Sequence, residues 1–380
     1  MINEVDRMHI VHVIEPMEHG VFIWVVDMAN RLVRDGYRVT VLHSIREHTP
    51  ENWREMFDSK VELIHVQMSR SIDPIVDSKA LIGLVKNIKQ LNPDIIHTHS
   101  SKGGFLARVA GFILRKNNRL LYTSHAIHYP LIKQPIKRKI YKYLEHIGYW
   151  LGGTIVACGK EEFKIISDEI TYGNHKRLIR ISNGIDTSQL TSKDYSVKNK
   201  KVKIGVGGRI SMQKAPWVFA AIAKEVNAKR NDVEFIWIGG GEKNDVKILE
   251  SAGVKVTGML DRSEVLEILP TLDIFFQTSA YEGLSLALLE AQASGIPAVV
   301  TKIPGNDEVV QHGETGFVGE TEDILMMHLE DLIDSEEKRV EMGKYAKQHT
   351  EEHFSLSVMA DQYKVKYQEM ARNTNKMQEA

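Results

Sequence analysis

Short apolar, β-branched runs alternate with amphipathic helical stretches along this chain, and the alternation runs its course twice. Such a pattern specifies parallel sheets with crossover helices. In the first half the expected strands are His9–Ile14, Arg38–Leu42, Val61–Val66, Asp94–His97, Leu120–Thr123, Thr154–Ala157 and Leu178–Ser182. Helical periods lie among them at Trp24–Asp35, Ser78–Leu91 and Gly103–Leu114. Residues 186–201, rich in Thr, Ser, Lys, Asp and Asn, show no period and read as a linker. The alternation then restarts with expected strands Val202–Val206, Glu234–Ile238, Lys255–Thr257, Asp273–Gln277 and Ala298–Thr301. Expected helices in this half are Pro216–Lys229, Ser263–Leu269 and Leu286–Ser294.

The fold class is therefore α/β, with two doubly wound Rossmann-like domains at 1–185 and 202–355. The closing stretch Glu336–Met370 reads as helix broken around His353–Ser355, and residues 356–380 are expected to pack back on the first domain. Ligands of such sheets bind beyond the carboxyl ends of the strands, so two domains facing across a cleft would close on one ligand from both sides.

Length and charge narrow the possibilities. At 380 residues the chain exceeds one ordinary core. A formal net charge of −1 supplies no global field to steer nucleic acid, which is excluded as an expected partner. The single cysteine, Cys158, follows the apolar run Thr154–Ala157 and reads as a buried structural thiol in a reducing compartment. No stretch approaches the ~20 apolar residues of a membrane span, and the N-terminus lacks the layout of a signal peptide. The expected location is the cytoplasm.

The chemistry concentrates in the second half. Glu282-Gly-Leu-Ser-Leu-Ala-Leu-Leu-Glu290 places one carboxylate in a glycine turn and a second about two turns into a helix that Ser285 could cap. A helix mouth with exposed N–H groups and flanking acids suits a sugar nucleotide, with its diphosphate and hydroxyls. Taken alone, the same segment also fits a solvated loop acid followed by an ordinary surface helix. Val206-Gly-Gly-Arg209 ends a strand on glycines and a cation, and Lys214 follows. Glycines admit a phosphate close to the backbone, Arg forks onto its oxygens and Lys adds a point charge. A further glycine turn closes the next strand at Gly239–Gly241.

Together these motifs resemble a known family. Gly208-Arg209…Lys214, Ile238-Gly-Gly-Gly-Glu242, Val256-Thr-Gly258, Ser279-Ala-Tyr-Glu-Gly-Leu-Ser285 through Glu290, Gly295-Ile-Pro297 and Gly313-Glu-Thr-Gly316 follow the order of the C-terminal domain of family-4 retaining glycosyltransferases with the GT-B fold. The first half agrees through Gly20-Val, Gly36-Tyr-Arg-Val-Thr, Pro93-Asp-Ile-Ile-His-Thr-His-Ser100, Lys102-Gly-Gly, His125 and Asn183-Gly-Ile-Asp186. Ser100–Arg108 and Val21-Phe-Ile look most like bacterial enzymes of capsular and exopolysaccharide assembly.

The resemblance implies a retaining, sugar-nucleotide-dependent hexosyltransferase, with a UDP-sugar as donor and a polyprenyl-diphosphate-linked glycan as acceptor. It implies that Arg209 and Lys214 neutralise the donor diphosphate and that Glu290 accepts from the ribose hydroxyls. Glu282 would hold hydroxyls of the donor sugar, with the Gly283, Leu284 and Ser285 amides on phosphate or sugar oxygens. Backbone near Gly239 and Met259 would meet the base. Gly20 would admit the diphosphate to the first domain, and His125 would contact the transferred sugar. Two departures from the pattern are His19, where many relatives carry a glycine, and Trp24, where a polar residue is frequent.

His97 and His99 form a tempting metal pair, but the strand is expected to end between them and no third ligand has zinc-like spacing. With no Asp-x-Asp motif either, the expectation is transfer without a metal or other cofactor. The basic stretch 133–142 mixes cations with Ile136, Ile140 and Tyr141; it reads either as a solvated helix face or as a contact to the anionic inner leaflet. The rival functional readings are a catalytically silent sugar-nucleotide-binding subunit of a glycan assembly complex and a GT-B-like epimerase.

Overall fold

Among the described residues, thirteen strands all pair in parallel, in two separate sheets. The structure is a computed structural model describing residues 8–15, 17–47, 49–69, 71–125, 127, 129–132, 134–197 and 200–379, without the side chains of His19, Leu131 and 375–379. Contacts divide the chain into one unit of residues 1–182 with 359–380 and a second of residues 183–358.

In the first unit β1 (His9–Ile14), β2 (Arg38–His43), β3 (Glu62–His65), β4 (Ile95–His99), β5 (Leu120–Thr123), β6 (Thr154–Ala157) and β7 (Leu178–Arg180) lie in the order β3-β2-β1-β4-β5-β6-β7. The connecting helices are α1 (His19–Arg34), α2 (Pro74–Leu91), α3 (Ser101–Ile113), α4 (Pro135–Leu151) and α5 (Lys160–Ile166). Strands buried on both faces explain the continuous apolar runs. Local chemistry sets the helix ends. Asp73 accepts from the amides of Ile75 and Val76 ahead of Pro74 at the first helical position, and Asn92 closes α2 at φ 43° in the left-handed region. Helix α1 begins earlier than its apolar period announces, so Gly20 lies in the first helical turn rather than in the preceding loop.

The C-terminal helix, Leu356–Glu379, completes this unit from Met359 onward. Tyr363 and Tyr367 are fully buried, Lys364 pairs with Asp35 at 2.6 Å, and Asn118 Nδ2 donates to Thr374 Oγ1 at 3.0 Å.

The second unit orders β8 (Val202–Gly207), β9 (Val233–Ile238), β10 (Val254–Val256), β11 (Ile274–Gln277), β12 (Ala298–Thr301) and β13 (Gly316–Gly319) as β10-β9-β8-β11-β12-β13. Its helices are α6 (Pro216–Lys229), α7 (Lys243–Ser251), α8 (Arg262–Ile268), α9 (Leu286–Ala293), α10 (Asn306–Val309), α11 (Glu322–Asp334) and α12 (Glu336–His353). Phe219, Phe235, Trp237, Phe275, Phe276 and Leu288 fill its core. Residues 186–201, read from composition as a linker, instead belong to this unit. Lys193 pairs with Asp273 at 2.9 Å, and the Tyr195 hydroxyl sits 2.7 Å from the Gly295 carbonyl. Polar composition misled here because the segment is held by ion pairs and backbone contacts rather than by an apolar stripe.

Candidate active site

At the carboxyl ends of the second unit's strands, neighbouring loops are locked into one polar assembly. The glycine turns after β8 and β9 interleave: Gly208 N–H donates to Ile238 O, Ile210 N–H to Gly240 O, and Trp237 Nε1 to Gly208 O at 2.9 Å. Gly239 has φ 143°, and a Cβ there would stand 2.3 Å from Gly208 O, so only glycine permits this approach. Gly240 abuts Met259, which is exposed beyond β10. Arg209 is exposed on the first of these turns and forms no ion pair with any described residue.

Lys214 reaches inward to the acidic motif. Its Nζ lies 2.7 Å from Glu282 Oε1 and 3.3 Å from Gln277 Oε1. Ser279 Oγ and Gln213 Nε2 also donate to Glu282, at 2.8 and 3.2 Å, so both oxygens of this buried carboxylate are engaged. Ser285 caps α9 by accepting from Leu288 N and donates its hydroxyl to Gln277 Oε1 at 3.0 Å. Gln277 Nε2 donates to Asn306 Oδ1 at 2.8 Å, Asn306 Nδ2 to Thr301 O at 2.9 Å, and Thr301 Oγ1 to Ser279 O at 2.6 Å. The ring of bonds closes where Ser279 meets Glu282. Gly305 braces it from outside: at φ 91°, a Cβ would lie 2.0 Å from Gly283 O. Gly283, Leu284 and Ser285 therefore enter α9 on a backbone that cannot shift freely.

Glu290 is buried on α9 and pairs with Arg262 Nη1 of α8 at 2.6 Å. The second unit thus brings Arg209, Lys214, Gly239, Met259, Gly283, Leu284, Ser285, Glu282 and Glu290 to one edge of its sheet. Gln213, Gln277, Ser279, Asn306 and Arg262 belong to the same assembly. Ser279 opens the motif that carries Glu282, whereas nothing in the local sequence marks Gln213, Gln277, Asn306 and Arg262, which are recruited across loops.

The first unit holds Gly20 and His125. Gly20 is exposed one turn before Trp24, whose ring centroid lies 5.1 Å from that of His125. His125 takes a left-handed φ of 55° immediately beyond β5. Strand β4 runs through His99, so His97 and His99 do share a face, and register sets His12 of β1 level with His97. The sequence spacing offered no third ligand; the sheet supplies one, with ligand nitrogens of His12, His97 and His99 within 4.8 Å of one another. These nitrogens are largely engaged already. His12 Nδ1 meets His99 Nε2 at 2.9 Å, His99 Nδ1 meets His125 Nε2 at 2.9 Å, and His97 bonds Tyr367 Oη and Thr123 Oγ1 at 2.6 and 2.8 Å. Burial drives the pKa of His12 and of His125 down to about 3. Burial first, and neighbouring rings second, push His97 and His99 well below the usual range. All four are neutral imidazoles at physiological pH. The tryptophan at position 24 now has a physical reason: it lies 5.0 Å from His99 and 5.4 Å from His97 and covers the whole cluster.

Two Rossmann-like parallel sheets in a single chain, the second carrying this loop assembly, place it in the GT-B fold class. A solved Anabaena protein, Alr3699/HepE in complex with UDP and glucose, has this fold: it superposes with a TM-score of 0.77 over 95% of this chain and all of its own, at 18% identity. The family model for Glycosyltransferase Family 4 matches residues 19–189, and that for Glycosyl transferases group 1 matches residues 188–349. An Escherichia coli UDP-Gal:alpha-D-GlcNAc-diphosphoundecaprenol alpha-1,3-galactosyltransferase is 32% identical over 68% of this chain and 70% of its own. The Staphylococcus aureus capsular polysaccharide biosynthesis glycosyltransferase CapM is 25% identical over 80% of this chain and 85% of its own. The chain belongs to the family-4 glycosyltransferases of the GT-B fold, and it is a glycosyltransferase.

Proposed function

We propose that this protein is a retaining hexosyltransferase that moves a sugar from a nucleoside diphosphate sugar, UDP-linked, to a polyprenyl-diphosphate-linked glycan in surface polysaccharide assembly. The observation that carries this reading is the closed bond network that fixes Glu282 and Lys214 beside the exposed, uncommitted Arg209. Arg209 and Lys214 take the donor diphosphate, Glu282 and the amides of Gly283, Leu284 and Ser285 take the sugar and phosphate oxygens, and Glu290 takes the ribose. Gly239 and Met259 flank the base. In the first unit, Gly20 gives the diphosphate access to backbone and His125 contacts the sugar. The UDP-galactose donor and diphosphoundecaprenol-linked acceptor of the E. coli relative support the substrate classes.

In this mechanism the nucleoside diphosphate departs as its bridging oxygen gains charge, and the acceptor hydroxyl attacks from the same face, so anomeric configuration is retained. A fixed cation near ~4 Å from that oxygen contributes about 4 kcal/mol at an effective dielectric near 20, of which only the increase between ground and transition state accelerates the step. Two such cations take the place of a divalent ion, and transfer is metal-independent. Incubation with labelled UDP-hexoses and a lipid-linked acceptor, with the product anomer read by NMR, tests the reading. An inverted product, or activity abolished by EDTA and restored by manganese, would overturn it.

Membrane contact is part of the proposal. No helix among the described residues is long and apolar enough to cross a membrane. Lys133 lies outside the described residues, but Lys137, Arg138 and Lys139 are exposed at the start of α4, beside Ile136 at 76% and Tyr143 at 66% exposure. Cations interleaved with exposed apolar side chains suit an anionic lipid surface at the cytoplasmic face. Co-sedimentation with anionic vesicles that survives K137E/R138E/K139E would remove this contact.

A further inference from the structure

We infer that His12 and His99 are positioning residues that set the tautomer of His125, so that His125 presents Nδ1–H outward as a hydrogen-bond donor. The inference rests on the reading of His125 as a sugar contact and deepens it. Three imidazoles form one line of hydrogen bonds: His12 Nδ1 to His99 Nε2 at 2.9 Å, and His99 Nδ1 to His125 Nε2 at 2.9 Å. A neutral imidazole carries one N–H and one lone pair, so a chain of neutral rings has only two consistent arrangements. Either every ring passes its N–H toward His125, or every ring passes it toward His12.

The two ends decide between them. His12 is fully buried, and its Nε2 has no hydrogen-bond partner among the described residues. If protons pointed toward His12, this atom would be an orphaned N–H, which costs the desolvation of a donor with no bond in return. If they point toward His125, it is a bare lone pair. The neighbour agrees: Trp24, whose ring meets His12 edge-on at 6.5 Å, brings a donor-only Nε1–H that is itself buried and unpartnered. A second donor pressed into that region would add a second orphan. At the other end His125 Nδ1 has no partner among the described residues and is not among the buried unpartnered atoms, so it is free to donate to a ligand. Trp24 packs against both His99 and His125, tilted at 5.0 Å and edgewise at 5.1 Å. Burial keeps the rings neutral, so the chain orients protons and does not relay a charge.

The test is a long-range 1H–15N correlation spectrum of the intact 15N-histidine-labelled chain, with His125 assigned from an H125N variant. The expected result is His125 protonated at Nδ1 and bare at Nε2, with His12 bare at Nε2; protonation of His125 at Nε2 overturns the inference. In sugar transfer, His99→Leu is expected to lower kcat about tenfold with KM for the donor little changed, the scale of one neutral hydrogen bond. His99→Asn restores an amide N–H at the Nδ1 position and most of the rate; equal loss in both folded variants speaks against a tautomeric role. A chain that transfers no sugar at all would sink the proposed function, while the spectrum would still decide the tautomer.

Discussion

Lys214 Nζ stands 2.7 Å from Glu282 Oε1, and both side chains are largely withdrawn from solvent, at 12% and 8% exposure. Each belongs to a different loop of the second unit, and removing either leaves the other's charge without its counter-ion. Removing one partner of a buried pair typically costs about 3 kcal/mol or more, because a desolvated charge is left behind. Lys214→Ala and Glu282→Ala are each expected to lower the unfolding free energy on that scale. The double variant K214A/E282A is expected to be more stable than the sum of the two losses while remaining inactive. Urea unfolding of the four proteins measures the coupling, and simple additivity would show that the pair does not act as a unit.

Arg209 behaves differently because it is exposed and unpaired. Arg209→Ala is expected to leave the unfolding free energy within about 0.5 kcal/mol. Transfer should nevertheless fall about a hundredfold, near 3 kcal/mol of transition-state stabilisation. Steady-state kinetics beside a melting curve separates the two effects, and near-normal turnover counts against a role in binding the leaving group.

Gly305 is the cheapest place to disturb the acidic loop without touching its chemistry. An added Cβ would meet Gly283 O at 2.0 Å and Glu282 O at 3.2 Å, on a backbone at φ 91°. Gly305→Ala is expected to cost about 2 kcal/mol in stability and to lose activity through displacement of residues 282–285. A variant with wild-type kinetics would show that the loop adjusts without consequence.

The histidine cluster makes stability depend on pH. His12 titrates near 6.5 when unfolded but only at about 3 in the folded chain, because burial disfavours its cation. Between those values the unfolded state binds the proton and the folded state does not, so stability rises with pH and is lost as pH falls below 6.5. Each ring held neutral in this way adds a slope of about 1.4 kcal/mol per pH unit once pH is well below 6.5. Denaturant unfolding at pH 7.0, 6.0 and 5.0 should show this steepening, and His12→Phe should flatten it. A flat profile in the intact chain would mean that the rings are solvated.

Much of this molecule was legible before any coordinate. His9–Ile14, Leu120–Thr123, Thr154–Ala157 and Ala298–Thr301 coincide with strands as read, because strands buried on both faces are largely apolar and β-branched. Ser285 caps α9 as its place before an apolar run suggested. Strand β13, Gly316–Gly319, escaped notice: two glycines and a half-buried edge leave no apolar run to read. The start of α1 also escaped, since Gly20 and its neighbours carry no capping side chain; Glu18, at the cap position, forms no side-chain cap bond.

Sequence by itself determined the alternation of strand and helix, the two parallel sheets and the family, since these depend on periodicity and on motifs within single loops. Only the tertiary structure decided which side chains meet. Parallel register brought His12 level with His97 and so assembled the line to His125, and loop-to-loop packing joined Lys214 to Glu282 and Arg262 to Glu290. Those partners come from different strands and loops, and their meeting is fixed by sheet order and close packing, which no local pattern of residues encodes.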